Sequence, residues 1–372
     1  MQHCVKCVMP DTRPGIKFNE DGVCYPCANA ERKKEVNWGA RSAELLDLCG
    51  KHRKVDGSYD CIVTVSGGKD SHVQVHMLKE VMGMNPLLLN VYNLSWTRTG
   101  LQNFDNIQER FGCDCISLHL NRKVARLMTR KAFEKYGSPT WYWDRAVYAY
   151  PLQMAIKLKI PLLVYGENIN YEYGGTDVKE TPSAKDQIYN DVVKPIPFED
   201  WIDDEITIKD LQQCVYPTAE ELEEIEPIYL SYFMEWSGWE NAKKAKTFGF
   251  KSLGDTGEWK REGYIEDYDQ IDSAGYLVHP WMKYPKFGHA RTTDIASNLI
   301  REGKMSRDYA VQLVKENDWR LDTHAFNDFC AFTGYTAKEF WDIADKFFNK
   351  DIFKKTNGQW ILKEPIWNES SS

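Results

Sequence analysis

The sequence has no run of about eighteen apolar residues, so it lacks the stretch that a membrane-spanning helix requires. Its first residues contain no apolar signal core, and we therefore expect a cytoplasmic protein. An excess of basic residues is also absent: the net charge is −8, whereas a broad nucleic-acid surface usually needs a basic face. Ten cysteines among 372 residues do not suggest a secreted disulfide scaffold. These absences predict a globular protein with no membrane partner, and they argue against a nucleic-acid partner.

Two common phosphate-binding motifs are missing as well. A Walker A motif would need glycine in place of Val63 and serine or threonine in place of Asp70, and no dinucleotide G-x-G-x-x-G occurs. The chain has instead a short glycine loop, Ser66-Gly67-Gly68-Lys69-Asp70-Ser71. Mostly β-branched residues precede this loop and apolar residues at helical spacing follow it, which predicts a strand, a tight turn and a helix.

The glycine loop has the properties of an anion site. Its glycines let backbone N–H groups point at a ligand, and the start of the following helix adds a positive dipole end. Lys69 would contact phosphate oxygens, and Asp70 is a candidate Mg²⁺ ligand. A plain helix N-cap is the structural alternative. The remaining loop positions would supply N–H groups and hydroxyls: Ser66, Gly67, Gly68 and Ser71.

Strands and helices alternate through the first two thirds of the chain. This alternation predicts an α/β protein with a doubly wound parallel sheet, for which we expect the strand order 3-2-1-4-5. From residue 293 onward we expect helices, including one that begins with a capping box at Thr336 and Glu339. The five predicted strands cover residues 61–65, 86–92, 115–120, 160–165 and 228–233.

Polar residues follow the predicted strands at the edge where a ligand would bind. Strands one and four are neighbours in the expected order, so Gly166 and Glu167 after strand four should face the glycine loop, with Asn93 from strand two beside them. A solvated loop carboxylate is the alternative for Glu167. Glu172 and Tyr173 lie just beyond, where a long polar stretch to about residue 204 is typical of a substrate loop.

Four of the cysteines form two C-x2-C pairs, Cys4 with Cys7 and Cys24 with Cys27. This spacing is typical of a tetrahedral Zn²⁺ site, and four thiolates would leave no open position for a substrate. Unrelated reduced cysteines or a redox pair are the alternatives. We predict a structural zinc knuckle at the N-terminus.

A second basic cluster lies later in the chain, where Lys283, Lys286 and Arg291 stand among glycine and aromatic residues. A phosphate or carboxylate of a substrate could dock on these side chains. A solvated basic turn is an equally acceptable interpretation of this composition.

The glycine loop resembles the PP-loop of the N-type ATP pyrophosphatases, which cleave ATP between its α and β phosphates. Together with CVKCVMPDTRPGI…GVCYPC, GENINYEYGG, IYLSYF and KYPKFGHARTTDIAS, the chain resembles the N-acetyl sugar amidotransferase family of pseudaminic acid and lipopolysaccharide sugar biosynthesis. The resemblance runs from Met1 to about Trp319 and implies an adenine nucleotide alpha hydrolase-like fold. It implies three regions: a zinc knuckle and linker (1–40), a PP-loop ATP pyrophosphatase core (41–255), and a substrate-side segment with C-terminal helices (256–372).

The resemblance also implies a reaction. ATP and ammonia would convert a sugar N-acetyl group to an acetamidino group through an O-adenylyl imidate, releasing AMP and pyrophosphate. Asp70 or Glu167 would hold Mg²⁺, and Glu167 or Glu172 would take a proton from ammonia. Tyr173, Lys286 and Arg291 would contact a free or nucleotide-linked sugar. No glutaminase-like triad is recognisable, so a partner that supplies ammonia is expected, and the resemblance implies that it consists of glutaminase and cyclase-like subunits.

Two other functions remain open at this stage. A PP-loop enzyme that thiolates or amidates tRNA would predict a basic face and a cysteine near the pocket, for which Cys113 and Cys115 are the nearest pattern. The second alternative is a non-catalytic nucleotide-binding scaffold that zinc stabilises. The intact glycine loop with Lys69 and Asp70 counts against it.

Overall fold

The computed structural model describes residues 1–93, 95–174, 180–189 and 195–368. A central sheet contains five parallel strands, and their order is the one expected from the sequence, β3-β2-β1-β4-β5. The strands are β1 (Cys61–Thr64), β2 (Pro86–Val91), β3 (Cys115–Leu118), β4 (Leu162–Tyr165) and β5 (Glu226–Tyr229).

Both faces of the sheet are covered, as a parallel sheet requires. In β1, Val63 pairs with Leu88 and Val164 and packs on one face, whereas Ile62 packs on the opposite face with Leu163. These β1 residues are fully buried. The predicted α/β, parallel-sheet class is therefore confirmed.

Sixteen α-helices surround the sheet or follow it in the described part of the chain. A π-helical turn, Met77–Val81, extends the helix after the glycine loop. The helices are α1 (Tyr25–Lys33), α2 (Trp38–His52), α3 (Lys69–His76), α4 (Arg98–Phe111), α5 (Arg122–Tyr136), α6 (Trp141–Leu158), α7 (Ile169–Tyr173), α8 (Ala219–Leu222), α9 (Gly238–Thr247), α10 (Leu253–Thr256), α11 (Val278–Trp281), α12 (Lys283–Phe287), α13 (Arg291–Arg301), α14 (Arg307–Asn317), α15 (Thr323–Thr333) and α16 (Ala337–Ala344).

The fifth strand is shorter than the sequence predicts. It ends at Tyr229, and Leu230–Tyr232 form a 3₁₀ turn. The backbone N–H of Ser231 donates to the carbonyl of Gly166, so the chain turns across the end of β4 instead of extending the sheet. The apolar and aromatic residues at 228–233 are therefore largely buried, but only those up to Tyr229 belong to the strand.

The prediction of helices alone after residue 293 was wrong. The capping box at Thr336 and Glu339 is present, but a hairpin follows it, formed by β6 (Phe353–Thr356) and β7 (Gln359–Leu362). Asn357 and Gly358 connect these strands, and both have positive φ angles, +50° and +80°. Asn-Gly is the preferred pair for such a two-residue turn, so the signal was in the sequence.

The N-terminal segment packs against the C-terminal third of the chain and against α7. The guanidinium of Arg13 donates to Asp294 at 3.0 Å, and Arg307 donates to the carbonyl of Cys7 at 3.1 Å. Asn29 of α1 donates to the carbonyl of Tyr171 in α7. Among the described residues, no helix is both long enough and apolar enough to span a membrane.

Candidate functional site

The glycine loop joins β1 to α3 and is held by its own side chains. Ser71 Oγ accepts a hydrogen bond from the N–H of Ser66 at 2.9 Å, and Ser66 Oγ accepts from the N–H of Gly68 at 3.2 Å. Gly67 has φ +86°, and a Cβ there would lie 2.8 Å from the Cα of Phe104 in α4. Only glycine fits this position, which brings the loop directly against α4.

Lys69 is the buried cation of the loop and is only 4% exposed. Its Nζ donates to Asp70 Oδ2 at 2.6 Å and to Asp269 Oδ1 at 2.8 Å. Burial opposes the charged ammonium, but the carboxylates of Asp70 and Glu167 outweigh this effect and raise the pKa of Lys69. Lys69 is therefore a permanent positive charge that carboxylates surround.

The two carboxylates that bind Lys69 are themselves held by other elements. Asp70 Oδ1 accepts from Asn241 Nδ2 in α9 at 2.8 Å. Asp269 also forms an ion pair with Arg291 at the start of α13. The C-terminal third of the chain thus reaches back to the glycine loop through Asp269.

Glu167 follows β4 and lies beside the loop, as the expected strand order predicts. Trp236 Nε1 donates to Glu167 Oε2 at 2.7 Å. Burial and the nearby carboxylate of Asp70 raise the pKa of Glu167 to about 7, although Lys69 opposes the shift. A carboxyl group with this pKa exchanges a proton near neutral pH, as a general base must.

Three cavities meet around these residues. The first, which we call the cleft, has about 550 Å³ and is lined by Lys69, Glu167 and Trp236, among others. The second, the loop cavity, has about 180 Å³ and is lined by residues 66–70 and by Asp269. The third, the chamber, has about 430 Å³ and lies beyond Glu167. Asp269 lines all three, so Lys69, Glu167 and their neighbours can act on ligands that enter from different sides.

Further predicted site residues line the cleft or the chamber. Glu172 lines the cleft, where it forms an ion pair with Lys33 of α1. Tyr173 lines both the cleft and the chamber, and Arg291 lies 6.0 Å from the centroid of its ring. Residues 175–179 and 190–194 of the predicted substrate loop lie outside the described residues.

The predicted basic cluster lines the chamber, but its charge is largely balanced within the protein. Lys283 and Arg291 both contact Asp294, which is 1% exposed. Lys286 Nζ donates to the carbonyl of Gly137 at 2.7 Å. Although burial opposes ionisation, Lys283, with Arg13 and Arg291, holds the pKa of Asp294 well below its usual range.

Two predicted nucleotide-binding residues lie apart from the cavities. The Asn93 amide donates to Asp272 Oδ2 at 3.0 Å, so it supports the segment that carries Asp269. Gly166 packs closely under Trp236 and Gln74, where a Cβ would lie 2.8 Å from Gln74 Nε2. Neither Asn93 nor Gly166 is among the described residues that line the three cavities.

The sequence-based prediction missed three residues that contact the centre of the site. Asp269, Trp236 and Asn241 bind Lys69, Glu167 and Asp70, respectively. A dense group of Tyr, Asp and Glu residues around Asp269 was the only signal for it. Trp236 and Asn241 carried no signal, because their roles depend on how the chain turns after β5.

The four N-terminal cysteines come together as predicted. Their Sγ atoms lie within 4.8 Å of one another, with 3.9 Å between Cys4 and Cys27 and 3.7 Å between Cys7 and Cys24. A tetrahedral Zn²⁺ with bonds of about 2.3 Å to sulfur requires separations of about 3.8 Å. All four are free thiols and buried, so the donor set fits a structural zinc ion.

Comparisons with known proteins find a family match and a distant relative. Residues 262–366 match the family described as LPS biosynthesis protein WbpG-like, C-terminal domain. The matched segment contains Asp269, Lys286 and Arg291. An uncharacterized protein of Methanocaldococcus jannaschii is 28% identical over 178 residues, which span 48% of this chain and 62% of that protein. The family match supports a role in surface-sugar biosynthesis, and it confirms the resemblance of this chain to the N-acetyl sugar amidotransferase family.

Proposed function

We propose that the protein is an ATP-dependent amidotransferase of the PP-loop type, which converts a sugar N-acetyl group to an acetamidino group. The observation that carries the proposal is a buried lysine in a glycine loop, with Glu167 and its raised pKa lining the adjoining cleft. The loop suits a phosphate chain, and Glu167 suits proton removal from an attacking amine. The family match supports the sugar as the substrate class.

The proposed reaction overcomes the poor leaving group of an amide. The amide carbonyl oxygen bonds to the α-phosphorus of ATP, and the bond from this phosphorus to the bridging oxygen breaks to release pyrophosphate. Ammonia then bonds to the activated carbon and gives up a proton, and the carbon–oxygen bond breaks as AMP leaves. Lys69 and the loop N–H groups would neutralise the charge that develops on pyrophosphate. Mg²⁺ held by Asp70 or Glu167 would neutralise further phosphate charge.

The products and the nitrogen donor test this proposal. With ATP, ammonium and an N-acetyl sugar, the pure chain should form AMP and pyrophosphate, measured by chromatography. Ammonium should be used only at high concentration, and glutamine should not replace it, because we propose that glutaminase and cyclase-like partners supply ammonia. ADP as the main product would contradict the PP-loop reaction, and amidine formation from glutamine alone would contradict the need for a partner.

Glu167 is the proposed proton acceptor, and its pKa predicts a pH profile. Protonated Glu167 cannot accept a proton, so kcat/KM at constant free ammonia should fall about tenfold per unit as pH decreases below about 7. Glu167→Gln should lose about 10²-fold in kcat/KM and the acidic limb of the profile.

The matched control is Glu172→Gln, because Glu172 lines the same cleft but is paired with Lys33. This variant should keep the acidic limb. If Glu172→Gln instead flattens the profile while Glu167→Gln keeps it, the roles of the two carboxylates are reversed.

The tRNA-thiolating alternative receives no support from the site. Cys115 begins β3 and Cys113 lies just before it, both packing against the core, and no cysteine is among the described residues that line the three cavities. We further propose that residues 1–40 form a zinc knuckle, 41–255 the PP-loop core, and 256–372 the substrate side.

A further inference from the structure

About half of the described residues that line the chamber come from the segment that matches the lipopolysaccharide-biosynthesis family. The chamber's described lining includes residues between Asp269 and Asp294, all within the matched range 262–366. The glycine loop, by contrast, comes from the N-terminal half of the chain. The matched segment therefore helps to shape the chamber, and features that select a substrate are expected there.

Charge alone does not define what the chamber binds. Asp294 contacts three of the cations that line it, Arg13, Lys283 and Arg291. In each of these contacts, the Asp294 carboxylate already occupies a cation that an anionic substrate would otherwise bind. Selection within the chamber must therefore depend on uncharged hydrogen-bonding groups as well.

Two uncharged groups in the chamber have unused hydrogen-bonding capacity. His289 is 1% exposed, and neither ring nitrogen forms a hydrogen bond of standard geometry with the described residues, although the backbone of Phe287 lies near the ring. Gln270 Oε1 is also buried without a partner, and Gln270 has an unusual φ of +50°. Leaving a buried polar group unpaired costs free energy, so native proteins usually pair such groups with protein, water or a ligand.

The protonation state of His289 narrows the ligand class. Burial and the nearby ammonium of Lys283 lower the pKa of His289 to about 3, so the ring is neutral. A neutral imidazole offers one donor and one acceptor, and an amide oxygen offers only an acceptor. A carboxylate or phosphate could satisfy the donor but not the two acceptors. Hydroxyl groups both donate and accept, so a polyhydroxylated ring satisfies all three positions.

The chamber also opens towards the proposed reaction centre. Glu167 and Tyr173 line both the chamber and the cleft, and Gln270 lines both the chamber and the loop cavity. A sugar ring in the chamber could therefore direct an N-acetyl group at Glu167 and the loop. A volume of about 430 Å³ is within the range of small-molecule sites.

We propose that the chamber binds the ring of the acceptor sugar and that His289 and Gln270 select it through its hydroxyl groups. This inference rests on the proposed function, because it assigns a position to that reaction's sugar. His289 is a specificity-determining residue that contacts the sugar and takes no part in binding ATP.

The test compares His289 variants by steady-state kinetics. Free N-acetylglucosamine, N-acetylmannosamine and their UDP conjugates are first screened as probes for AMP formation by the wild-type chain with ATP and ammonium. For the best probe, His289→Leu should raise the sugar KM by about 30-fold, because two hydrogen bonds are lost, and change the ATP KM by less than about twofold. His289→Gln keeps a donor and an acceptor and should recover part of the loss. His76→Leu, in α3 against Phe248, is the control and should change neither KM.

Each outcome tests either the assignment of the sugar to the chamber or the proposed function itself. AMP formation that depends on a probe sugar, together with an unchanged sugar KM in His289→Leu, would overturn the chamber assignment and leave the proposed function intact. An equal rise in both KM values would also overturn it. If no probe sugar produces AMP with the wild-type chain, the proposed function fails, and this inference fails with it. Tm measured for each variant separates loss of sugar binding from loss of folding.

Discussion

Replacing Lys69 with Met should reduce AMP formation by about 10³-fold, because the loop loses the charge that would stabilise pyrophosphate as it leaves. Methionine preserves the length of the side chain and removes the ammonium. Binding of inorganic pyrophosphate, measured by titration calorimetry, should be lost in the same variant. Lys51→Met, on the exposed side of α2, is the control for the loss of one positive charge.

The Lys69 variant should also be less stable, since Asp70 and Asp269 lose the cation that they share. We expect a loss of up to about 3 kcal/mol in the free energy of unfolding. Adding Asp70→Asn should recover part of this stability without recovering activity, because it removes a carboxylate whose other partner is the uncharged amide of Asn241 but restores no cation. A Lys69→Met protein that keeps more than a tenth of the wild-type activity would contradict the proposed role.

Replacing Cys24 with Ser should remove zinc and lower Tm by roughly 10 °C or more, because metal binding supplies folding energy to so short a segment. Metal analysis of the wild-type chain should find about one Zn²⁺ per protein. Cys330→Ser is the matched control, since Cys330 is a half-buried free thiol outside the cluster. A fully folded wild-type protein without zinc would refute the metal assignment.

The structure also predicts which cavity the Cys24 change affects. Helix α1 begins directly after Cys24 and supplies Lys33, which pairs with Glu172, to the cleft. The glycine loop does not depend on α1, because its own residues Ser66 and Ser71 accept the hydrogen bonds that hold it. Pyrophosphate binding should therefore change by less than about threefold, whereas hydrogen exchange in α7 should increase.

The sequence predicted those parts of the site that local pattern determines. A strand, a glycine turn and a helix can be recognised from adjacent residues, and the strand order follows from the topology of parallel sheets. Together they placed Glu167 beside the loop correctly. The cysteine spacing similarly predicted a cluster that forms within residues 4–27.

The contacts that were missed join residues far apart in the chain. Lys69 and Asp269 are separated by 200 positions, and no local pattern indicates that two such residues will meet. The charge balance of the chamber was missed for a similar reason, because Asp294 meets Arg13 across 281 positions. Composition showed the basic residues but not the buried carboxylate that neutralises them.

The ion pairs of Lys69 change how phosphate binding should be understood. Asp70 and Asp269 already occupy two hydrogen-bond donors of its ammonium group. An ammonium group has three donors, so one remains for a phosphate oxygen, which would share the cation with Asp70 and Asp269. The affinity for phosphate then includes its repulsion from these two carboxylates, and a shift of Asp269 towards Arg291 would reduce that repulsion. Binding and the position of the segment that carries Asp269 are therefore parts of a single equilibrium.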